Sequence, residues 1–192
     1  MVLAAVGDAM GYKNGDWEFL TSHKIIYNQM MEMTNNKGPL ALEITLDWRY
    51  SDDTVMHIAT AEGLLRQSKD SEASKICQSI AKEYKKCWSR MGGRAPGKTT
   101  GKSIKILNED GSNWNHIPYS DRACGCGGSM RSACIGLLYY NNIERLIAIS
   151  IEAGRMTHHN PVGYLGSMVA SYFTGLAIKG IAPEKWAGYL FD

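Results

Sequence analysis

The sequence predicts an all-α protein, and three observations support that class. Apolar residues recur at intervals of three and four through most of the 192 residues. Sustained alternation of apolar and polar residues, which is typical of strands, does not occur. Gly-rich loops separate the periodic stretches. Because 44% of the residues are apolar, the helices can bury a sizeable core, and a disordered chain is excluded.

The periodic stretches define the predicted helices in chain order. The first covers Ile25 to Met33, and the second begins at Ser51, a favourable N-cap, and reaches Leu65. The third starts near Ser71, carries apolar residues at helical spacing, and stops at Gly92-Gly93. The remaining helices are expected at about residues 103–108, 129–140, 143–157, 162–179 and 184–191.

Helix-breaking residues agree with the later boundaries. Pro161 and Pro183 stand where a first helical turn tolerates proline, and Gly180 stands where a helix usually ends. Small residues inside these helices predict close helix-to-helix contacts; they are Gly166, Ala170 and Gly175. Since no repeat, linker or composition change interrupts the chain, we expect residues 1–192 to belong to a single domain.

Charge and hydropathy exclude several classes of partner. The 21 basic and 19 acidic residues leave a formal charge of +2 without a basic block, so nucleic-acid binding is not expected. No stretch approaches the length of a membrane span, and Met1–Val6 is too short for a secretory signal, which predicts a cytoplasmic protein with no membrane partner. The five cysteines have no framework spacing, and Cys124 and Cys126 lack the further ligands of a zinc site.

Adjacent carboxylates follow the N-cap of the second helix, in the segment Ser51-Asp52-Asp53-Thr54. Acidic side chains are stabilised at a helix N-terminus, which explains them without any ligand. Two carboxylates with flanking hydroxyls are also the hard oxygen ligands that Mg²⁺ prefers. Both interpretations stay open at this point.

Two further acidic residues precede that helix. Asp8 lies in apolar surroundings and must find partners, because an unpaired buried charge is costly. We expect it to tie backbone groups of neighbouring segments together. Glu18 lies between Trp17 and Phe19 and is either a solvated loop residue or a lid over a ligand.

A Gly-rich loop, Cys124–Ser129, runs into a predicted apolar helix. Its backbone N–H groups can approach a phosphate, although the loop matches neither a P-loop nor a dinucleotide fingerprint and a simple tight turn is the alternative. His158 and His159 join two helices, and one of them can donate to a phosphate or ribose oxygen while the other caps the preceding helix.

Taken in order, these segments resemble the ADP-ribosylglycohydrolases, and most closely the branch that removes ADP-ribose from arginine. The resemblance spans the full chain and rests on Gly7–Tyr12, Trp17-Glu18-Phe19, Ser51–Glu62, Gly92–Gly97, Met130-Arg131, Cys134–Leu137 and Gly154–His159. It implies a multi-helix fold around a cleft with two Mg²⁺ ions. The implied ligands are ADP-ribose and arginine-linked ADP-ribosylated proteins.

The resemblance also assigns roles to residues. Ser51, Asp52 and Asp53 are implied as metal ligands, with Asp52 or Asp53 as the general base. Glu18 corresponds to a mobile glutamate that closes over the ribose. The implied contacts to substrate and diphosphate are Tyr12, Gly125, Cys126, Gly127, Gly128, Ser129 and one of His158 and His159.

One family segment has no counterpart here. The family completes its two-metal site with an Asp-x-Asp-Ser/Thr segment, and no such pair occurs among Asp70, Asp110, Asp121 and Asp192. We therefore expect the chain to be the N-terminal part of the family's domain, with weak Mg²⁺ binding and reduced or no hydrolysis. A catalytically inactive ADP-ribose-binding protein or a structural relative is the alternative. The sequence does not indicate an oligomeric state.

Overall fold

The computed structural model describes residues 1–191, and this part of the chain is helical throughout, with no strand. The all-α prediction is confirmed. The helices are α1 (Val2–Tyr12), α2 (His23–Met33), α3 (Asp52–Leu65), α4 (Ala73–Cys87), α5 (Lys98–Ile106), α6 (Ala133–Tyr139), α7 (Ile143–Arg155), α8 (Pro161–Ile178) and α9 (Trp186–Phe191). None of the described helices is long and apolar enough to cross a membrane.

The chain forms two compact units, Met1–Thr54 and Val55–Asp192. The boundary falls in the first turn of α3. No linker composition marks it, because a helix runs through it without interruption. This is why the sequence contains no signal for the division.

Two helix predictions in the first half of the chain were incomplete. The run Val2–Tyr12 forms α1, although its apolar residues are nearly continuous and leave no helical periodicity to detect. Helix α5 begins at Lys98, about a turn earlier than expected, and includes Gly101. Position 101 needs a small residue, because a Cβ atom there would lie 3.2 Å from the Trp88 ring.

The later helices follow their predictions more closely, and shortened first turns account for the differences. Ser129–Arg131 form a 3-10 turn, so α6 starts only at Ala133. Pro161 is the first residue of α8, and the Asn160 side chain caps that helix by accepting from Val162 N at 3.1 Å. Gly180 ends α8 with a left-handed φ of 71°.

The core of the second unit lies between α4, α6, α7 and the part of α3 that follows Thr54. The predicted apolar face of α4 is buried as expected, with Ile76, Ile80, Tyr84 and Cys87 inside it. Residues of α6 and α7 pack against this face; they include Ile135, Leu146 and Ile149. This packing fixes the positions of the segments that carry the loop 124–129.

The closest helix contacts occur at other glycines than the predicted Gly166 and Gly175. A Cβ atom at Gly166 or Gly175 would make only ordinary or slightly tight contacts, at 3.7 Å and 3.4 Å. At Gly136 of α6 it would lie 2.1 Å from the Ser171 carbonyl oxygen of α8. Gly154 of α7 is similarly close to Tyr164 of α8, with a Cβ at 2.9 Å from its Cα. Close approach is therefore confirmed for these helices, at positions that the sequence pattern did not identify.

Candidate functional site

The first turn of α3 carries the adjacent carboxylates and a well-formed cap. Ser51 Oγ accepts a hydrogen bond from the N–H of Asp53 at 3.1 Å, which confirms its role as N-cap. Asp52 is buried and Asp53 is half-buried. The helix dipole favours negative charge at this position, so capping and cation binding are compatible functions of the same turn.

Asp8 of α1 binds this turn directly. Its Oδ2 accepts from the Ser51 N–H at 3.0 Å and the Thr54 N–H at 3.3 Å, and it also accepts from the Thr54 hydroxyl. The expected function of Asp8, tying backbone groups together, is confirmed. Since Asp8 holds Ser51 and Thr54 in place, it also determines where the Asp52 and Asp53 carboxylates emerge.

Four carboxylates of the first unit lie within electrostatic range of one another. Burial, followed by the negative charges of Asp52, Asp8 and Glu18, raises the pKa of Asp53 to about 6. Burial also raises the pKa of Glu18, with added repulsion from Asp52 and Asp8. We call Asp8, Glu18, Asp52 and Asp53 the carboxylate cluster.

The ligand chemistry of this cluster suits a hard divalent cation, because carboxylate and hydroxyl oxygens are the groups that bind Mg²⁺. The number of ligands is smaller than a complete site needs. Within residues 1–191, no three His, Cys, Asp or Glu side chains converge in a metal-binding arrangement. The metal-ligand role expected for Asp52, Asp53 and the Ser51 hydroxyl therefore stays a prediction, and these three groups alone would fill only part of a coordination shell.

Glu18 lies in the turn after α1 and is partly buried. The neighbouring Trp17 is buried and donates from Nε1 to Gln29 Oε1 at 2.7 Å, so it holds the turn to α2. Phe19, on the other side, is 75% exposed. The implied movement of Glu18 over a ribose stays a prediction. Tyr12 ends α1 with its ring buried, next to Gly15.

In the second unit, the loop Cys124–Ser129 presents unpaired amides. Cys124, Gly125 and Cys126 are exposed, while Gly127 is buried. The N–H groups of Gly125, Cys126 and Gly127 donate to no acceptor within residues 1–191. Consecutive backbone N–H groups without an acceptor carry partial positive charges that can bind an anion.

The contacts around this loop differ from the predicted ones in one respect. The loop enters the 3-10 turn Ser129–Arg131, and the following helix α6 has only seven residues. The expected contribution of a helix dipole is therefore not available. Ser129 instead closes the loop by donating from Oγ to the Cys126 carbonyl oxygen at 2.8 Å.

His158 packs against the loop and explains the glycine at position 127. A Cβ atom at Gly127 would lie 2.4 Å from Cε1 of His158, and one at Gly125 would lie 3.7 Å from its Nε2. The other ring nitrogen, Nδ1, is 2.9 Å from the Thr157 hydroxyl. Burial, followed by the nearby charge of Arg131, lowers the pKa of His158 to about 4, so the ring is neutral at pH 7.

His159 is directed elsewhere. Its Nδ1 is 2.6 Å from the Ile117 carbonyl oxygen, and its Nε2 is 3.3 Å from the Arg155 guanidinium. Its ring meets Tyr119 edge to face. The structure thus brings His158, and not His159, to the Gly-rich loop, a choice that the sequence left open.

We expect His158 to make the second unit sensitive to acid. The unfolded chain protonates this histidine near pH 6.5 and the folded chain only near pH 4, so the unfolded state binds the extra proton between those values. Stability from His158 is complete above pH 6.5 and is lost as the pH falls towards 4.

The measurement compares wild type with His158→Gln by urea unfolding at pH 7 and pH 4.5. Between pH 7 and pH 4.5, wild type should lose up to about 3 kcal/mol more free energy of unfolding than His158→Gln loses. Contributions of other groups, including Asp53, cancel in this difference. His116→Gln, which removes an exposed histidine, serves as the control. A difference that does not change with pH would contradict the assignment.

Arg131 belongs to the Met130-Arg131 motif, but the sequence alone assigned it no role. It is fully buried, and one of its amino groups donates to the Gly127 carbonyl oxygen inside the loop. The available signal was an arginine between Met130 and Ser132 at the start of an apolar helix, where a charge must find buried partners.

Comparison with known proteins agrees with these features. The family described as ADP-ribosylglycohydrolase matches residues 1–189. ADP-ribosylhydrolase ARH1 of Dictyostelium discoideum is 46% identical over 194 aligned residues, which cover 97% of this chain and 48% of that protein. Human ADP-ribosylhydrolase ARH3 is 26% identical over 180 residues, covering 92% of this chain and 48% of that protein. The chain therefore spans about half the length of these relatives. With the family match extending over almost the whole sequence, this chain belongs to the ADP-ribosylglycohydrolase family.

Proposed function

We propose that this protein acts in the Mg²⁺-dependent removal of ADP-ribose from arginine side chains of proteins. The observation that carries the proposal is the carboxylate cluster at the start of α3, in a member of this family. Asp52 and Asp53 are held together although their charges repel, and a bound cation would offset that repulsion. The arginine linkage rests on the sequence motifs, and a cytoplasmic location is part of the same proposal.

Asp52, Asp53 and the Ser51 hydroxyl are the residues that would hold Mg²⁺, of which the family site takes two ions. Bound Mg²⁺ would orient the ribose hydroxyls and increase the acidity of the attacking water. We assign Asp53 to accept the proton of this water, because burial and the neighbouring carboxylates make it more basic than an ordinary aspartate in the metal-free protein. Asp52 is the alternative base.

The bond that breaks joins the ribose anomeric carbon to a guanidinium nitrogen. The water oxygen forms the new bond to that carbon, and the guanidine leaves with the bonding electron pair and is protonated. We assign Glu18 to closing over the ribose. We expect a transition state with oxocarbenium character, by analogy with glycosidases.

The diphosphate contacts are assigned to the second unit. The free amides of Gly125, Cys126 and Gly127 can donate to phosphate oxygens, and Gly128 and Ser129 complete the loop. His158 lies beside these amides as a neutral ring whose Nε2 faces the loop. Tyr12 is assigned to the substrate by the resemblance alone.

The ligand count sets the expected strength of metal binding. Two Mg²⁺ ions carry about four positive charges, and in these 192 residues they would face mainly Asp52 and Asp53. Asp8 is already occupied with Ser51 and Thr54. We therefore expect the 192-residue chain to need millimolar Mg²⁺ and to hydrolyse its substrate slowly or not at all.

Calorimetry with ADP-ribose, with and without millimolar Mg²⁺, tests the proposal. Wild type should bind ADP-ribose, and Mg²⁺ should strengthen binding by about tenfold or less. Asp53→Asn should still bind ADP-ribose, because the loop amides are unchanged. Mg²⁺ should not strengthen its binding, because a metal ligand has been removed. Asp47→Asn removes an exposed carboxylate of the same unit and should behave as wild type.

Single-turnover assays on arginine-linked and serine-linked ADP-ribose then separate the remaining possibilities. Any Mg²⁺-dependent release should be faster from arginine. Absence of ADP-ribose binding would contradict the proposed function. Binding that Mg²⁺ does not affect, without hydrolysis, would identify an inactive ADP-ribose-binding relative. Efficient turnover at micromolar Mg²⁺ would contradict the expectation of weak metal binding.

A further inference from the structure

Arg131 connects three segments of the second unit beneath the Gly-rich loop. Its Nε donates to the Tyr84 hydroxyl of α4 at 2.8 Å, and its two amino groups donate to the carbonyl oxygens of Gly127 and of Ala153 in α7. The guanidinium carbon lies 4.5 Å from the centre of the Tyr84 ring. The side chain has no exposed surface.

The acceptors of Arg131 are all neutral. No carboxylate within residues 1–191 forms an ion pair with it. Burial raises the pKa of Tyr84, so its hydroxyl stays protonated. Ala153 belongs to the last turn of α7, and the partial negative charge of that helix end offsets only about half of a unit charge. A buried guanidinium without an anion costs several kcal/mol.

The orientation of the loop depends on this residue. The Gly127 carbonyl points to Arg131, and because the peptide bond that follows is trans, the Gly128 N–H points to the opposite side. The free amides of Gly125, Cys126 and Gly127 lie in the same loop. The loop therefore combines three N–H groups that have no acceptor with a buried guanidinium that no carboxylate pairs and that binds the Gly127 carbonyl.

We infer that Arg131 is a positioning residue that fixes the loop 124–129 and supplies the buried positive charge that selects an anionic ligand there. The inference rests on the diphosphate contacts proposed above and adds a residue that does not touch the ligand. The ligand class is a diphosphate, free or within ADP-ribose. The negative charge of a phosphate held by the loop amides would attract the positive charge of Arg131, and little solvent lies in the protein interior to screen this attraction.

The experiment measures affinities of ADP-ribose, inorganic pyrophosphate and the neutral probe adenosine for Arg131→Gln and Arg131→Lys. Arg131→Gln should weaken the binding of ADP-ribose and pyrophosphate on the order of tenfold and leave the affinity for adenosine unchanged. Arg131→Lys keeps the charge but cannot make all three hydrogen bonds, so it should bind both anions more tightly than Arg131→Gln without reaching the wild-type affinity. Thermal unfolding reports on the fold of each variant.

The outcomes separate the inference from the proposed function. Equal losses for anions and adenosine, or failure of Arg131→Lys to rescue a folded Arg131→Gln protein, would show that Arg131 is only structural. If Arg131→Gln does not fold, Arg131→Lys decides alone, because a folded Lys variant with more than a tenfold loss for the anions overturns the role of charge. If wild type binds neither ADP-ribose nor pyrophosphate, the proposed function fails together with the inference.

Discussion

Replacing Gly136 by Ala should destabilise the second unit by about 2–4 kcal/mol. The added Cβ would lie 2.1 Å from the Ser171 carbonyl oxygen and 2.8 Å from Thr174 Cβ, both on α8. Neither neighbour is the end of a flexible side chain, so α6 and α8 must move apart. That movement also strains the Ser171 hydroxyl, which donates to the Ser132 carbonyl oxygen at 2.9 Å.

Gly166→Ala is the matched control, since it also adds a methyl group within a helix. Its Cβ would lie 3.7 Å from Ser129 Cβ, an ordinary contact. Because alanine has a higher helix propensity than glycine, this variant should be neutral or more stable by up to about 1 kcal/mol. Urea unfolding followed by circular dichroism measures both variants. Equal stability of the two would disprove the close contact of α6 with α8.

These glycines show what could be predicted from the sequence. Periodicity located α4 and α7 because each has one buried face, and it located α2 from the spacing of its apolar residues although none of them is fully buried. It failed for α1, where Val2, Leu3 and Val6 are all exposed and give no contrast between two faces. A glycine within a helix indicates close packing without saying which glycine is closest. Which glycine is closest depends on how the helices cross, and the sequence of a single helix does not determine that crossing.

The residues of the candidate site were also only partly predictable from the sequence. Ser51, Asp52 and Asp53 were identified because cap and carboxylates are adjacent in sequence, and the cap is confirmed. The participation of Asp8 in that turn was expected only in general terms, since 43 residues separate it from Ser51. Assigning His158 to the loop required the fold, because two adjacent histidines are equivalent in sequence.

Gly127→Ala should reduce ADP-ribose affinity on the order of tenfold to a hundredfold. The methyl group would lie 2.4 Å from His158 Cε1 and 2.9 Å from its Nε2. His158 has little room to retreat, because it is buried and Thr157 holds its Nδ1. The loop must therefore shift, which displaces the three amides that we assign to the diphosphate. Calorimetry with ADP-ribose measures the effect.

Gly125→Ala is the comparison in the same loop. Its methyl group would lie 3.7 Å from His158 Nε2, which is ordinary contact, and its N–H is retained. Neither glycine has a positive φ, so backbone strain does not distinguish the two variants. Gly125→Ala should stay within about threefold of wild type. If both substitutions weaken binding equally, the packing of His158 against the loop is not the cause.

A double-mutant cycle with His158→Ala isolates that contact. Without the imidazole, the methyl group at position 127 has space, so Gly127→Ala should cost much less in the His158→Ala background than in wild type. A direct contribution of His158 to ligand binding appears separately, as the loss in His158→Ala alone. Additive losses would mean that Gly127 is required for the approach of the ligand itself. Strongly non-additive losses would mean that glycine at 127 serves to accommodate His158, and through it the orientation of the amides.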